Sequence, residues 1–397
     1  MPSALRLFQI FGAGVASMLA YVVLFVWLRV RCRRTFGPLA MASFSVIAAI
    51  AGPSQLAFHQ TMWRLSGWWL FLEEACTLLD IVVVFAAAAI VLLELALFSW
   101  SKLRRPRPLP EVTDAAPTRR EAIARIGGAI AMTSATTTVL WGALRTRVDF
   151  EIVELPIRIA RLPRVLDGFT IVQVSDVHVG PFIGDRELSL AEDVVRRIRP
   201  DLVVMTGDLI DVQRCWVAAG VSWLARLSSL ARHGVAAIPG NHEYYAGAPF
   251  VMNAMRSAGI EVLLNDSRIV AAKDGGGFGL IGVDDMHGRD RGGPGPRLGG
   301  ALAKLADDRA RILLSHQPSF FPRAAACGVD LTLSGHTHGG QLAPFGPMLV
   351  ERVYGYSSGL VAENGSRLYV NRGFGTSGPP LRLGIRPEIT KIVLVAG

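Results

Sequence analysis

The stretch IVVVFAAAAIVLLELALFSW, Ile81 to Trp100, constrains this chain more than any other: it holds one charged residue, Glu94, in twenty positions. As a helix it would be ~30 Å long, the thickness of a bilayer's hydrocarbon core. Left in water, so continuous an apolar surface would drive association. Three further stretches have similar character. Residues 8–28 run into the basic cluster RVRCRR, residues 39–58 are interrupted by Pro53, Ser54 and Gln55, and residues 126–144 are rich in Ala, Gly and Thr. The expectation is an amino-terminal helical transmembrane region over residues 1–147, with candidate spans 8–28, 39–58, 76–100 and 126–144.

Lys and Arg in short loops orient such spans, because cationic loops stay in the cytoplasm. Arg29, Arg31, Arg33 and Arg34 follow the first span; Lys102, Arg104, Arg105, Arg107, Arg119 and Arg120 lie between the third and fourth; the loop 59–75 has only Arg64. This pattern predicts a multi-pass cell-membrane protein whose carboxy-terminal part is extracytoplasmic if all spans insert, and cytoplasmic if one fails. The segment TRREAIARIGGAIAMTSA from Thr118 also fits a twin-arginine export signal, or arginines that anchor a helix end.

The net charge of +9 would suit a nucleic-acid binder if it were concentrated in a folded domain. It is not. Residues 1–150 hold 15 Lys/Arg against 8 Asp/Glu, whereas residues 151–397 hold 26 against 24. The excess belongs to the membrane region, so its expected partner is the bilayer and its anionic headgroups, and nucleic acid is not expected. The four cysteines, Cys32, Cys76, Cys215 and Cys327, have no metal-site or redox spacing. Cys215 and Cys327 could pair, with two single thiols the simpler reading.

From Val148 onward the texture changes. FTIVQVS, DLVVMTG, VAAIPG, FGLIGV, ARILLS, VDLTLSG, RLYVN and ITKIVLV read as short strands, and helical patterns lie around Val194 to Ile198, Trp216 to Ala231 and Pro249 to Ser257. Strands that alternate with helices predict an α/β domain over residues 148–397, its sheets covered by helices. In such folds ligands bind beyond the carboxyl ends of strands. The chain places its unusual polar residues there repeatedly: Asp176 and His178 in SDVHVG, Asp208 and Asp211 in TGDLID, Asn241 and His242 in PGNHEYY, His316 in LLSHQP, and His336 and His338 in SGHTHGGQ.

Singly, each block reads as a capped turn or a hydrogen-bonded histidine. Together they would bury polar groups at a cost that a bound cation offsets. Asp, Asn and His without thiolate suit Mn, Fe, Zn or Mg. The set is too large for one ion, and two divalent ions ~3.5–4 Å apart would use most of it.

In order and spacing these blocks resemble the signature of the calcineurin-like metallophosphoesterases over about residues 150–397. The tail YVNRGFGTSGPPLRLGIRPEI, with HTHGGQ, resembles the membrane-anchored or exported branch. The resemblance implies a four-layer αββα sandwich. It assigns Asp176, His178 and His338 to one metal, Asn241, His316 and His336 to the other, and Asp208 to both. It also implies hydrolysis of a phosphate ester or pyrophosphate by a hydroxide that the ions hold. His242 is left for the leaving-group side, oriented by Asp211. Asp284, Asp285, His287, Arg372 and Arg382 are candidates to line the site, and DRGGPGPRLGG reads as a mobile loop or a phosphate contact.

The expected substrate is a phosphorylated lipid or cell-envelope precursor. Two alternatives stand beside it: a cytoplasm-facing UDP-2,3-diacylglucosamine pyrophosphatase, and a non-catalytic membrane sensor or adaptor. Oligomeric state is not legible from the sequence.

Overall fold

The computed structural model describes residues 4–32, 68–103, 118–271, 276–305 and 308–397, together with 42, 45 and 46. Candidate span 39–58 therefore lies almost wholly outside the described residues. The chain divides into two compact units, Met1–Gly142 and Ala143–Gly397.

The first unit contains helices Ala4–Arg31 and Trp68–Leu103, and most of Arg119–Thr146. Among the described residues, two helices, Ala75–Lys102 and Arg119–Thr146, are long and apolar enough to cross a membrane by length and composition. Tyr21, Leu24 and Trp27 pack against Val83, Ala87 and Ile90. The charges inside this apolar packing are paired: Glu94 takes two hydrogen bonds from Arg31, at 2.8 and 2.7 Å, and Asp80 accepts one from Tyr21 at 2.9 Å. Without such partners an ionised group in an apolar surround is costly.

The second unit is built on two six-stranded sheets. In the first, β1 (Glu151–Ile159), β12 (Glu388–Ala396), β2 (Thr170–Val174), β3 (Leu202–Met205), β4 (Val235–Ala237) and β5 (Glu261–Val262) lie side by side. All neighbours are parallel except β12 and β2. Pro156 falls on the edge strand β1, where its missing N–H costs no ladder bond. In the second, the order is β10 (Gly359–Glu363), β11 (Ser366–Val370), β9 (Leu331–Ser334), β8 (Arg311–Leu314), β7 (Gly277–Gly282) and β6 (Asp266–Ala271).

Alternation along the strands explains the layering, because successive side chains point to opposite faces. Leu202 and Val204 join Ile312, Leu314, Leu331 and Leu333 in the cluster shared by the two sheets. Val203 and Met205, one residue out of phase, face Trp223, Leu224 and Val194 on helices Val217–Ser228 and Asp185–Ile198. On the second sheet Ile281 and Leu313 turn outward to Leu298, Ala301 and Ala324. The result is helix, sheet, sheet, helix, with the inner strands covered on both faces and therefore apolar throughout.

Candidate metal centre

The central strands run in parallel and end on one side, and the residues just beyond them converge. Asp176 and His178 follow β2, Asp208 follows β3, Asn241 follows β4, His316 follows β8, and His336 and His338 follow β9. All are buried except His336, which is partly exposed.

Sharp reversals hold these side chains at the strand ends. Of the nine non-glycine residues with positive φ among the described residues, five are Asp176 (50°), His178 (49°), Asp208 (56°), His336 (72°) and His338 (51°). A left-handed backbone is unfavourable for residues with a Cβ, and such conformations collect at functional sites. Two glycines let the turns touch. Gly207, at φ +96°, passes Gly240 and the His316 ring so closely that a Cβ would collide, and one on Gly240 would strike Asp208.

The ring nitrogens face one another in pairs. His178 Nε2 lies 3.1 Å from His338 Nε2, and Asp176 Oδ1 lies 3.4 Å from the same His338 atom. His336 Nδ1 lies 3.1 Å from His316 Nε2, which is 3.2 Å from both Asp208 Oδ2 and Asn241 Oδ1. Asp208 Oδ2 also lies 3.8 Å from His178 Nε2, so it borders both groups. Asp176, His178 and His338, like Asp208, His316 and His336, have one donor atom each within 4.8 Å of the others. Buried imidazole and carboxylate lone pairs that converge on one another in this way fit divalent cations.

Electrostatics divides the set. Burial pushes Asp176 up to about 6, with His316 pulling it down and Asp208 pushing it up. Burial opposes the charge on Asp208 too, yet His316 and His242 hold it well below the usual carboxylate range. Burial works against the His316 proton, but Asp208 raises that imidazole well above its ordinary value. His178 and His338 are driven well below theirs, and His336 down to about 3, first by burial and then by neighbouring imidazoles.

His242 completes the cluster. Its main-chain N–H donates to Asp208 Oδ1 at 2.9 Å, and its Nδ1 is hydrogen-bonded to the main-chain carbonyl of Asp211. The Asp211 carboxylate stands farther off, 3.6 Å from the same nitrogen, and 3.8 Å from His178 Nδ1. The ring therefore rests on a peptide oxygen more closely than on the carboxylate.

Several further candidate residues are held in the structure around the cluster. Arg382 is buried, and its guanidinium donates to the carbonyls of Arg372, Gly373, Gly375 and His338, with Nη2 2.9 Å from His338 Nδ1. Burial lowers it to about 9. Arg372 pairs with Glu388 and Glu151. Both arginines are engaged by the fold around the site, Arg382 directly behind the His338 ring. Asp284 is a structural anchor too, taking hydrogen bonds from the Tyr244 hydroxyl at 2.6 Å and Gly295 N–H at 2.8 Å. Asp285 is buried and accepts from Gln317, and His287 is partly exposed beside it, 2.8 Å from the same amide. The ends of DRGGPGPRLGG are helical, in a 3₁₀ turn to Arg291 and a helix from Leu298. All four cysteines are free.

Glu243 is the residue that motif reading passed over. It is buried and accepts from the N–H groups of Asp208 and Leu209, each at 2.9 Å, and of Gly240 at 2.7 Å, which clamps the turn after β3 to the turn after β4. Its position two residues after Asn241 was the available signal.

Residues 169–340 match the family model described as calcineurin-like phosphoesterase. The metallophosphoesterase YkuE of Bacillus subtilis is 33% identical over 250 residues, which cover 62% of this chain and 85% of that one. The chain is a calcineurin-like metallophosphoesterase. A transmembrane protein with metallophosphoesterase domain from Bos taurus is 35% identical over 256 residues, covering 62% of this chain but 56% of its own length. Among solved structures, a dimetal phosphatase from Danio rerio matches over 54% of this chain and 90% of its own at 15% identity with a TM-score of 0.37. Membership in the metallophosphoesterases makes this chain a phosphoester hydrolase with an αββα domain, and two of its amino-terminal helices are long and apolar enough to cross a membrane by length and composition.

Proposed function

We propose that residues 148–397 hydrolyse a phosphate ester or pyrophosphate of a lipid-linked or cell-envelope substrate with two divalent metal ions, tethered by a multi-pass region over residues 1–147 and facing away from the cytoplasm. Asp176, His178 and His338 would hold one ion, Asn241, His316 and His336 the other, and Asp208 both. The observation that carries this reading is the position of Asp208 Oδ2, within 4 Å of a ring nitrogen from each group. When bound, the ions supply Lewis-acid stabilisation of the phosphoryl oxygens and a water of lowered pKa as nucleophile.

The protein's own groups do the rest. The Asp211 carbonyl fixes His242 Nδ1 as a donor and leaves Nε2, 4.0 Å from Asp208 Oδ2, to hold a proton for the leaving ester oxygen. Glu243 keeps the Asp208 turn rigid, so that the shared carboxylate keeps its place as charge develops. Lipid linkage is supported by the membrane-spanning candidates and by a basic excess that falls mostly in residues 1–150, +7 of the +9.

The test is the full-length protein in detergent, assayed with Mn²⁺ and a chromogenic phosphodiester alongside metal analysis. Chelation should abolish turnover and added metal restore it. Equal activity in wild type and His242→Ala would overturn the assignment, and reporter fusions after residue 150 that light up on the cytoplasmic side would overturn the orientation.

A further inference from the structure

Helix Phe345–Tyr354 has ten residues and none of them is buried. Phe345 is 72% exposed, Met348 66%, Leu349 63% and Val353 43%. At about 100° per residue these four fall within an arc of about 140°, with exposed Arg352 inside it. Leu360, on the strand that follows, is 45% exposed. Scattered apolar residues on a surface are ordinary, but a whole helix face of them marks a contact with something apolar.

The attachments of this helix name the occupant. At its carboxyl end the Tyr354 ring stands perpendicular to that of His336, with centroids 4.8 Å apart. At its amino end Gly346 N–H donates to Leu342 O, and Ala343 N–H donates at 2.9 Å to Leu383 O. The segment that contains Leu383 is in turn fastened to the place where the chain leaves its membrane helix. Arg382 N–H donates to Thr146 Oγ1 at 2.9 Å, and Arg386 pairs with Asp149 at 2.8 Å. Thr146 ends a helix long and apolar enough to cross a bilayer. Thr146, Asp149, Arg382, Leu383 and Arg386 all belong to the second unit, so the apolar helix is joined through one loop to the residues at which that unit's chain begins.

We propose that helix Phe345–Tyr354 lies in the lipid interface, with its apolar arc at the acyl boundary and Arg352 among anionic headgroups, where a lipid's phosphoester can pass along Tyr354 to the site at His336. An interfacial helix of this kind needs an apolar face and a cation that reaches the headgroups, and both are present. Docking is a property of the surface alone; the delivery of substrate rests on the phosphoesterase reading above.

The native full-length protein, reconstituted in vesicles of phosphatidylethanolamine and phosphatidylglycerol with a diazirine-acyl lipid, tests it after photolysis and peptide mapping. Labelling of the peptide that carries residues 345–353 is expected. Its absence, while the spanning helices are labelled, would overturn the proposal, as would bismaleimide coupling of two chains through Leu349→Cys beyond that of the parent, which would assign the face to a second copy. Phe345→Ser/Leu349→Ser should raise KM about tenfold for a phosphodiester borne in the vesicle and leave a water-soluble chromogenic one unchanged. Equal loss on both would overturn delivery. A protein inactive on every substrate would sink the catalytic reading and leave the photolabel to decide docking.

Discussion

The two proposed ligand groups differ in depth and in what stands behind them. Asp176, His178 and His338 are all buried, and Arg382 backs the His338 ring from within the fold. Asp208 and His316 are buried too, but His336 is partly exposed, with Tyr354 beside it. Their charges diverge accordingly. In the deep group a carboxyl raised to about 6 sits among imidazoles that burial keeps neutral; in the outer group Asp208 and His316 already form an ion pair at 3.2 Å. The proposed ligand set thus divides into a fully buried group and one with a partly exposed imidazole, and substrate is expected to approach from the side of His336.

Asp208→Asn attacks what the groups share and should have the largest effect: loss of both ions and a fall in turnover of at least ~10⁴-fold, read by metal analysis and kinetics on one sample. If either ion stayed tightly bound, the idea of a shared ligand would fail. His242→Ala should cost ~10²–10⁴-fold in turnover with both ions retained, which separates proton transfer from ligation. Arg382→Lys would sharpen the contrast further. By disturbing the His338 ring it should weaken the deep ion by ~10–100-fold while sparing the outer one, as titration calorimetry would resolve.

The smallest expected effect is in the pH dependence of metal affinity. Only the carboxylate form of Asp176 is a ligand, so deep-site affinity should level off above about 6 and decline as pH falls through that value. His316 is raised well above its ordinary value, so outer-site affinity should still be climbing at neutral pH, as His316 gives up its proton. Identical profiles for the two ions would erase the distinction.

Much of the catalytic unit was legible because metal donors stand out against apolar strands: the strand before each motif is read from composition, and the turn after it from Asp, Asn, His and Gly. What stayed hidden has physical causes. Helix Phe345–Tyr354 has no buried face, so the core imposes no pattern on its sequence. Arg372 and Arg382 were candidates to line the site, and main-chain carbonyls and Glu388 engage them; nothing in a linear sequence marks which carbonyls will be left without N–H partners. Glu243 works through three peptide N–H groups that come together only when β3 and β4 lie side by side.

The five left-handed residues around the centre set function against robustness. Glycine adopts such a conformation without the Cβ clash, but it carries none of the donor atoms that the chemistry requires. Selecting variants of this enzyme for heat tolerance alone should therefore drift toward glycine at His178, His336 and His338, whose side chains satisfy no main-chain donor, and deliver a hardier, inert protein.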